Sequence, residues 1–116
     1  MKSGKELLEE SRARIRQIDT AEALELHKRG GVVFLDVRDQ SEVNLGKIPD
    51  AVHISRGNLE TKVEARIPRD AHVIIYCASG RRSIFAADRL QELGYTNVAS
   101  MVTGFRGWCE AGGDVE

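Results

Sequence analysis

Cys77 stands between the apolar run Val73-Ile74-Ile75-Tyr76 and the small, cationic segment Ala78-Ser79-Gly80-Arg81-Arg82-Ser83. A thiol so placed suits nucleophilic chemistry on an anionic group. The apolar run reads as a buried strand. After it, Ile84, Ala87, Leu90 and Leu93 recur at helical spacing, with Gly94 as the stop. The spacing predicts a helix over 83–93 and puts Cys77 at a strand-to-helix junction. Helix N-termini offer free amides and the positive end of a dipole, and small residues let the backbone curl so that further amides face a bound anion. Arg81, Arg82 and the dipole are expected to lower the Cys77 pKa and so enrich the thiolate, which is the nucleophile. The competing reading is an inert core cysteine beside two solvated arginines. Two cations at a helix start are unfavourable without an anion beside them, which favours the reactive reading.

Other chemistry-bearing residues are sparse. Cys109 is the second of two cysteines, too far from Cys77 in sequence for a zinc knuckle and too few for a disulfide framework. It could form a disulfide with Cys77 in a redox role, but a packing role on a helix is the stronger expectation. His27, His53 and His72 lack metal-binding spacing, so neither a metal nor a cofactor is expected. His53 reads as a satisfied, partly buried histidine. Asp36 and Arg38 either support the reactive loop from a neighbouring strand end or form a partly buried ion pair. A structural role is the expectation, because no histidine lies beside Asp36 to build a Cys-His-Asp relay.

The elements that must position Cys77 follow from pattern. Val32 to Leu35 reads as a second buried strand, Ala51 to Ile54 and Val98 to Met101 as shorter ones, and Gly57 to Ala65 as a helix. Asp19-Thr20 could cap a helix that Gly30-Gly31 ends. Leu7, Leu8, Ser11 and Ile15 give an amphipathic helix over Lys5 to Arg16. Trp108 is expected to anchor the last helix, and Ala111 to Glu116 to trail off. Strands alternating with helices imply an α/β fold with a mainly parallel sheet covered on both faces. In such sheets ligands collect at the carboxyl ends of the strands, where Cys77 falls.

The whole chain of 116 residues, 41% hydrophobic and 30% charged, fits one compact core. A formal charge of -1 gives no drive toward nucleic acid or an acidic membrane. The charged opening segment lacks a signal-peptide pattern and no stretch reaches membrane-spanning length, so a cytoplasmic location is expected.

Three motifs, in order and at the right spacing, resemble the rhodanese family of sulfurtransferases. Phe34-Leu35-Asp36-Val37-Arg38 with Glu42 resembles its DVR segment, Gly46-Lys47-Ile48-Pro49-Asp50-Ala51 its GHIPGA segment, and Cys77 to Ser83 its CxxGxRS loop. Gly104-Phe105-Arg106-Gly107-Trp108 matches the closing motif in part. The resemblance runs from Ile18 to Val115 and divides the chain into an amphipathic helix over 1–17 and a rhodanese-like domain over 18–116. It implies a mainly parallel sheet of about five strands with helices on both faces.

That resemblance implies Cys77 as persulfide carrier, with amides from Ala78 to Arg82 cradling the transferred sulfur. Arg82 would hold the loop or a substrate anion, and Arg81 would tune substrate choice. A small-molecule donor such as thiosulfate and a thiol or cyanide acceptor are implied, with protein donors or acceptors as an alternative. Lys47 and Asp50 depart from the usual His and Gly, and Thr103 stands where a first Gly is common; these changes are expected to affect turns more than chemistry.

Two other functions compete. A cysteine-dependent phosphatase or arsenate reductase of the related fold would place an arginine six positions after the cysteine. Here Ser83 holds that position, and the arginines fall four and five positions on, leaving a narrower cradle. A non-catalytic binding module would have no need of Cys77, Gly80 and Arg82 together.

Overall fold

A computed structural model describes all residues, 1–116. The chain runs α1 (Gly4–Arg14), β1 (Arg16–Ile18), α2 (Thr20–Arg29), β2 (Val33–Asp36), α3 (Gln40–Val43) and β3 (Val52–His53). A 3-10 turn (Arg56–Asn58) then leads into α4 (Leu59–Arg66), β4 (Val73–Tyr76), α5 (Arg81–Glu92), β5 (Val98–Met101) and α6 (Gly104–Glu110). The five strands form one sheet in the order β1-β5-β4-β2-β3, and every pairing is parallel. The α/β architecture expected from alternating strand and helix patterns is therefore the one present.

Side chains alternate across a strand, and that alternation decides which way the Cys77 end of β4 faces. Ile74 and Tyr76 pack with Phe34, Met101 and Trp108 against α2 and α6. Ile75 and Cys77 pack with Leu35, Ile84, Ala87 and Leu90 on the opposite face, under α4 and α5. Cys77 thus belongs to the α5 face because Ile75 does. All four residues of β4 are fully buried, and each isoleucine removed from water stabilises the sheet by about 2–3 kcal/mol.

Several elements differ from the pattern-based reading, each for a local reason. The first helix ends at Arg14 because Ile15 turns to extended backbone and Arg16–Ile18 pairs with β5 as an edge strand. Ser3 starts that helix with a capping box closed by Glu6. The α5 helix begins at Arg81, two residues earlier than apolar spacing suggests, since its first turn is polar. A one-turn helix, α3, lies between Asp39 and Asn44, and Asp39 and Glu42 close a second capping box there.

The last residues do not trail off. Backbone hydrogen bonds tie Glu116 to Lys47 in both directions, at 2.9 and 3.3 Å. The Lys47 ammonium donates to the Glu116 carboxylate at 2.5 Å, as does the Asp50 amide at 3.3 Å. Trp108 donates its indole N–H to the Asp114 carbonyl at 2.7 Å. The two departures at Lys47 and Asp50 thus meet at one partner. Asp50 sits at φ 67°, a left-handed geometry that aspartate tolerates better than most residues.

Candidate active site

Cys77 lies just beyond β4, 1% exposed, and the chain curls around its sulfur before entering α5. The Gly80 amide donates to Sγ at 3.1 Å, and the Ser83 hydroxyl lies 3.6 Å from it. Behind Ser83, the Ser100 hydroxyl of β5 completes a buried chain at 2.7 Å. Burial pushes the Cys77 thiol up, but the Ser83 hydroxyl and the amides of Ser83, Gly80 and Ser79 outweigh it and hold the thiol below its ordinary value. The direction matches the expectation from sequence. The cause is different: hydrogen bonds to hydroxyl and amide groups carry it, rather than arginine charge.

Two glycines make this curl possible. Gly80 has φ 99°, and a Cβ there would come within 2.3 Å of the Val102 carbonyl oxygen. Gly104, at φ 60°, would put a Cβ 2.5 Å from the Cys77 carbonyl oxygen. The backbone approaches so closely because α6 holds the loop from below. Phe105 and Arg106 amides donate to the Cys77 and Ala78 carbonyls at 2.8 and 3.1 Å. The loop is clamped by the start of a helix that sequence alone reads only as a packing element.

Arg82 meets a protein carboxylate. Its two terminal nitrogens donate to Glu42 of α3 at 2.8 and 3.0 Å, a bidentate pair that joins the loop to the segment after β2. The Arg82 guanidinium, helped by the Asp39 amide, holds the Glu42 carboxyl down to about 2. An anion was expected to offset the two arginines at the helix start, and for Arg82 that anion is Glu42. Arg81 is exposed and has no such partner.

Asp36 and Arg38 form a fully buried pair at 2.8 Å. Arg38 also donates to the Gly46 carbonyl at 2.7 Å and lies 4.3 Å from the Phe105 ring centroid. His53 contacts the Arg38 carbonyl at 2.7 Å. Neither Asp36 nor Arg38 hydrogen-bonds to Cys77. They tie the end of β2 to the Gly46 turn beside the loop. Cys109 is exposed on α6 and unbonded, whereas Cys77 is buried.

The sequence reading gave no role to Glu42, Ser83, Ser100 or Gly104. Ser100 had a visible signal: a hydroxyl in the apolar strand Val98–Met101, completely buried. No polar side chain is kept there without a partner. Glu42 had a motif position but no spacing that links it to Arg82. That contact exists only through the pairing of β2 with β4.

Comparison with known proteins agrees with this fold. Residues 19–111 match the family described as the rhodanese-like domain. A thiosulfate sulfurtransferase, GlpE of Coxiella burnetii, is 36% identical over 93 residues, covering 80% of this chain and 86% of that protein. A solved structure from Rhodopseudomonas palustris, described as a protein of unknown function and possible tyrosine phosphatase, superposes with a TM-score of 0.91. It is 36% identical and the match covers 100% of this chain and 96% of that one. A rhodanese-related protein from Thermoplasma volcanium gives 0.79 at 32% identity, over 87% of this chain and 97% of that one.

Proposed function

The chain belongs to the rhodanese-like domain family, and from that premise we propose that it transfers a sulfane sulfur from a thiosulfate-type donor to a thiol or cyanide through a persulfide on Cys77. Relatives named as sulfurtransferases support the activity class. One observation carries the residue-level reading: a single sulfur atom is surrounded by the Gly80 amide and the Ser83 hydroxyl within a loop closed by α5.

The chemistry needs no general base. The Cys77 thiolate attacks the outer sulfur of thiosulfate, a new sulfur–sulfur bond forms, and the old one breaks with its electron pair leaving on sulfite. The persulfide's outer sulfur carries the charge that the thiolate brought, and free amides of the loop are the groups that stabilise it. Once that outer sulfur has taken a proton from solvent, an acceptor thiolate attacks it, and the bond to Sγ breaks to return the Cys77 thiolate.

The phosphatase alternative gains a point from the Rhodopseudomonas structure, described as a possible tyrosine phosphatase, but the loop argues against it. A phosphate carries four oxygens that require a cation of the loop free to meet them. Ser83 stands at the position where an arginine is needed, Arg82 is paired with Glu42, and Arg81, the loop cation left free, lines the groove beside α1. Thiocyanate formation from thiosulfate and cyanide, run beside aryl phosphate hydrolysis on wild type and Cys77→Ser, separates the two. Cys77-dependent thiocyanate without phosphate release is expected; Cys77-dependent phosphate release without thiocyanate would overturn the proposal.

A further inference from the structure

The helix α1 lies outside the matched residues 19–111, and it builds one wall of a groove beside the reactive loop. Gly4 and Arg81, the first residues of α1 and α5, both line that groove, while Arg14 further along α1 pairs with Asp88 further along α5. The two helices therefore run in the same direction, with both N-termini at the loop end. The groove encloses about 510 Å³. Lys5, Arg12 and Arg81 line it, with Glu9 as its one carboxylate and Leu8 and Phe85 as its apolar floor.

Three exposed cations that pair with no carboxylate converge on this one groove. Arg14, Arg38, Arg56, Arg82 and Arg89 each pair with a carboxylate of the protein. Lys5, Arg12 and Arg81 pair with none, and all three are exposed. Three unpaired cations around one concave space raise the local concentration of anions and hold them at close range. Arg81 follows Gly80, whose amide contacts Sγ, so an anion in this groove lies next to the loop that holds the reacting atom.

We infer that this groove binds the organic sulfur substrate, a peptide-sized thiol or its persulfide carrying at least two carboxylates and one ammonium. The carboxylates meet Lys5, Arg12 and Arg81, the ammonium meets Glu9, and methylene groups lie on Leu8 and Phe85. A small inorganic anion would leave most of such a space unfilled. The inference rests on the sulfur-transfer reading for its chemistry: the bound thiolate attacks the outer sulfur, forms a sulfur–sulfur bond, and releases the Cys77 thiolate. No outside oxidant or reductant enters.

Glutathione and 2-mercaptoethanol serve as acceptor probes, one charged and one neutral. In Lys5→Gln/Arg12→Gln the ratio of kcat/KM for glutathione over 2-mercaptoethanol is expected to fall about tenfold, the loss of two exposed charge contacts. Lys28→Gln/Lys62→Gln removes the same net charge from other exposed, unpaired positions and is expected to leave the ratio unchanged. A parallel titration uses S-methylglutathione, which cannot accept sulfur, followed by amide chemical shifts. Shifts at residues 4–12 and 81–85, with about tenfold weaker binding in the first pair of substitutions and weakening with salt, are expected. No binding, shifts elsewhere, or equal losses in both pairs would overturn the inference. If Cys77 takes up no sulfur yet the thioether binds here, the function fails and the groove stands; transfer without a preference for glutathione sinks the groove alone.

Discussion

The two sides of the reactive loop are built on opposite rules. On the inner side the side chains are paired while loop amides stay free: Cys77 has Gly80 and Ser83, Ser83 has Ser100, and Arg82 has Glu42. On the outer side Lys5, Arg12 and Arg81 have none. Satisfied buried groups fix a geometry, because breaking any one of them leaves a desolvated partner behind. Unsatisfied exposed cations cost little in water and are free to meet a ligand. On the proposed function, the contrast gives rigidity to the sulfur-carrying loop and recognition to the surface above it.

Removal of the thiol tests the inner side most severely. Cys77→Ser is expected to lower sulfur transfer by on the order of a thousandfold or more, with the fold retained. Residual activity near that of wild type would move the nucleophile elsewhere, Cys109 first. Gly80→Ala should act on fold and rate together: its Cβ meets the Val102 carbonyl at 2.3 Å and its φ is 99°. A loss of about 2–4 kcal/mol in denaturant unfolding is expected.

Glu42→Gln sharpens the comparison by turning an inner cation into an outer one. Freed of its partner, Arg82 is expected to let the loop loosen and the transfer rate fall about fivefold. The pair also has a pH signature. Folding depresses the Glu42 carboxyl from 4.5 to about 2, so its contribution is complete above the unfolded value and is lost as pH falls toward 2. Urea unfolding should show wild type more stable than Glu42→Gln at pH 6 and the gap closing between those values. A constant gap would mean that the ion pair contributes nothing.

Ser100→Ala has the smallest expected effect and the most specific one. Ser100 touches Ser83 and not the sulfur, so it is a positioning residue. With the thiolate present, Ser100 donates to Ser83 and Ser83 donates to Sγ; without it, Ser83 loses the partner that orients its hydrogen. The pH–rate profile should move toward higher pH and the rate at neutrality fall about threefold, as for one weakened hydrogen bond. Ser100→Thr, which keeps the hydroxyl, should restore the profile. A lower rate with an unmoved profile would reduce Ser100 to packing.

Local pattern made the fold readable, and distance in sequence hid much of the site. Val73–Tyr76 announces itself as a buried strand through composition, and the apolar spacing after Cys77 announces α5. Arg16–Ile18 does not, because a three-residue edge strand with two exposed residues has no periodicity to read. Glu42 and Arg82 meet across parallel strands that no local rule connects. The tail was legible in neither way: Glu116 gains its order from Lys47 and Asp50, residues that look like mere departures from a motif until the contact joins them. Cys77 itself was legible because one short segment holds the strand end, the small residues and the helix start.

The most direct test of the account is single-turnover sulfur uptake from thiosulfate as a function of pH, read by peptide mass spectrometry at both cysteines. The mass of one added sulfur on Cys77 alone, removed by cyanide, with a rate that rises at a pH below the ordinary thiol range, is the predicted result. Uptake at Cys109, or a profile no different from an unperturbed thiol, would contradict the claim that this loop is built to hold a thiolate and the sulfur it carries.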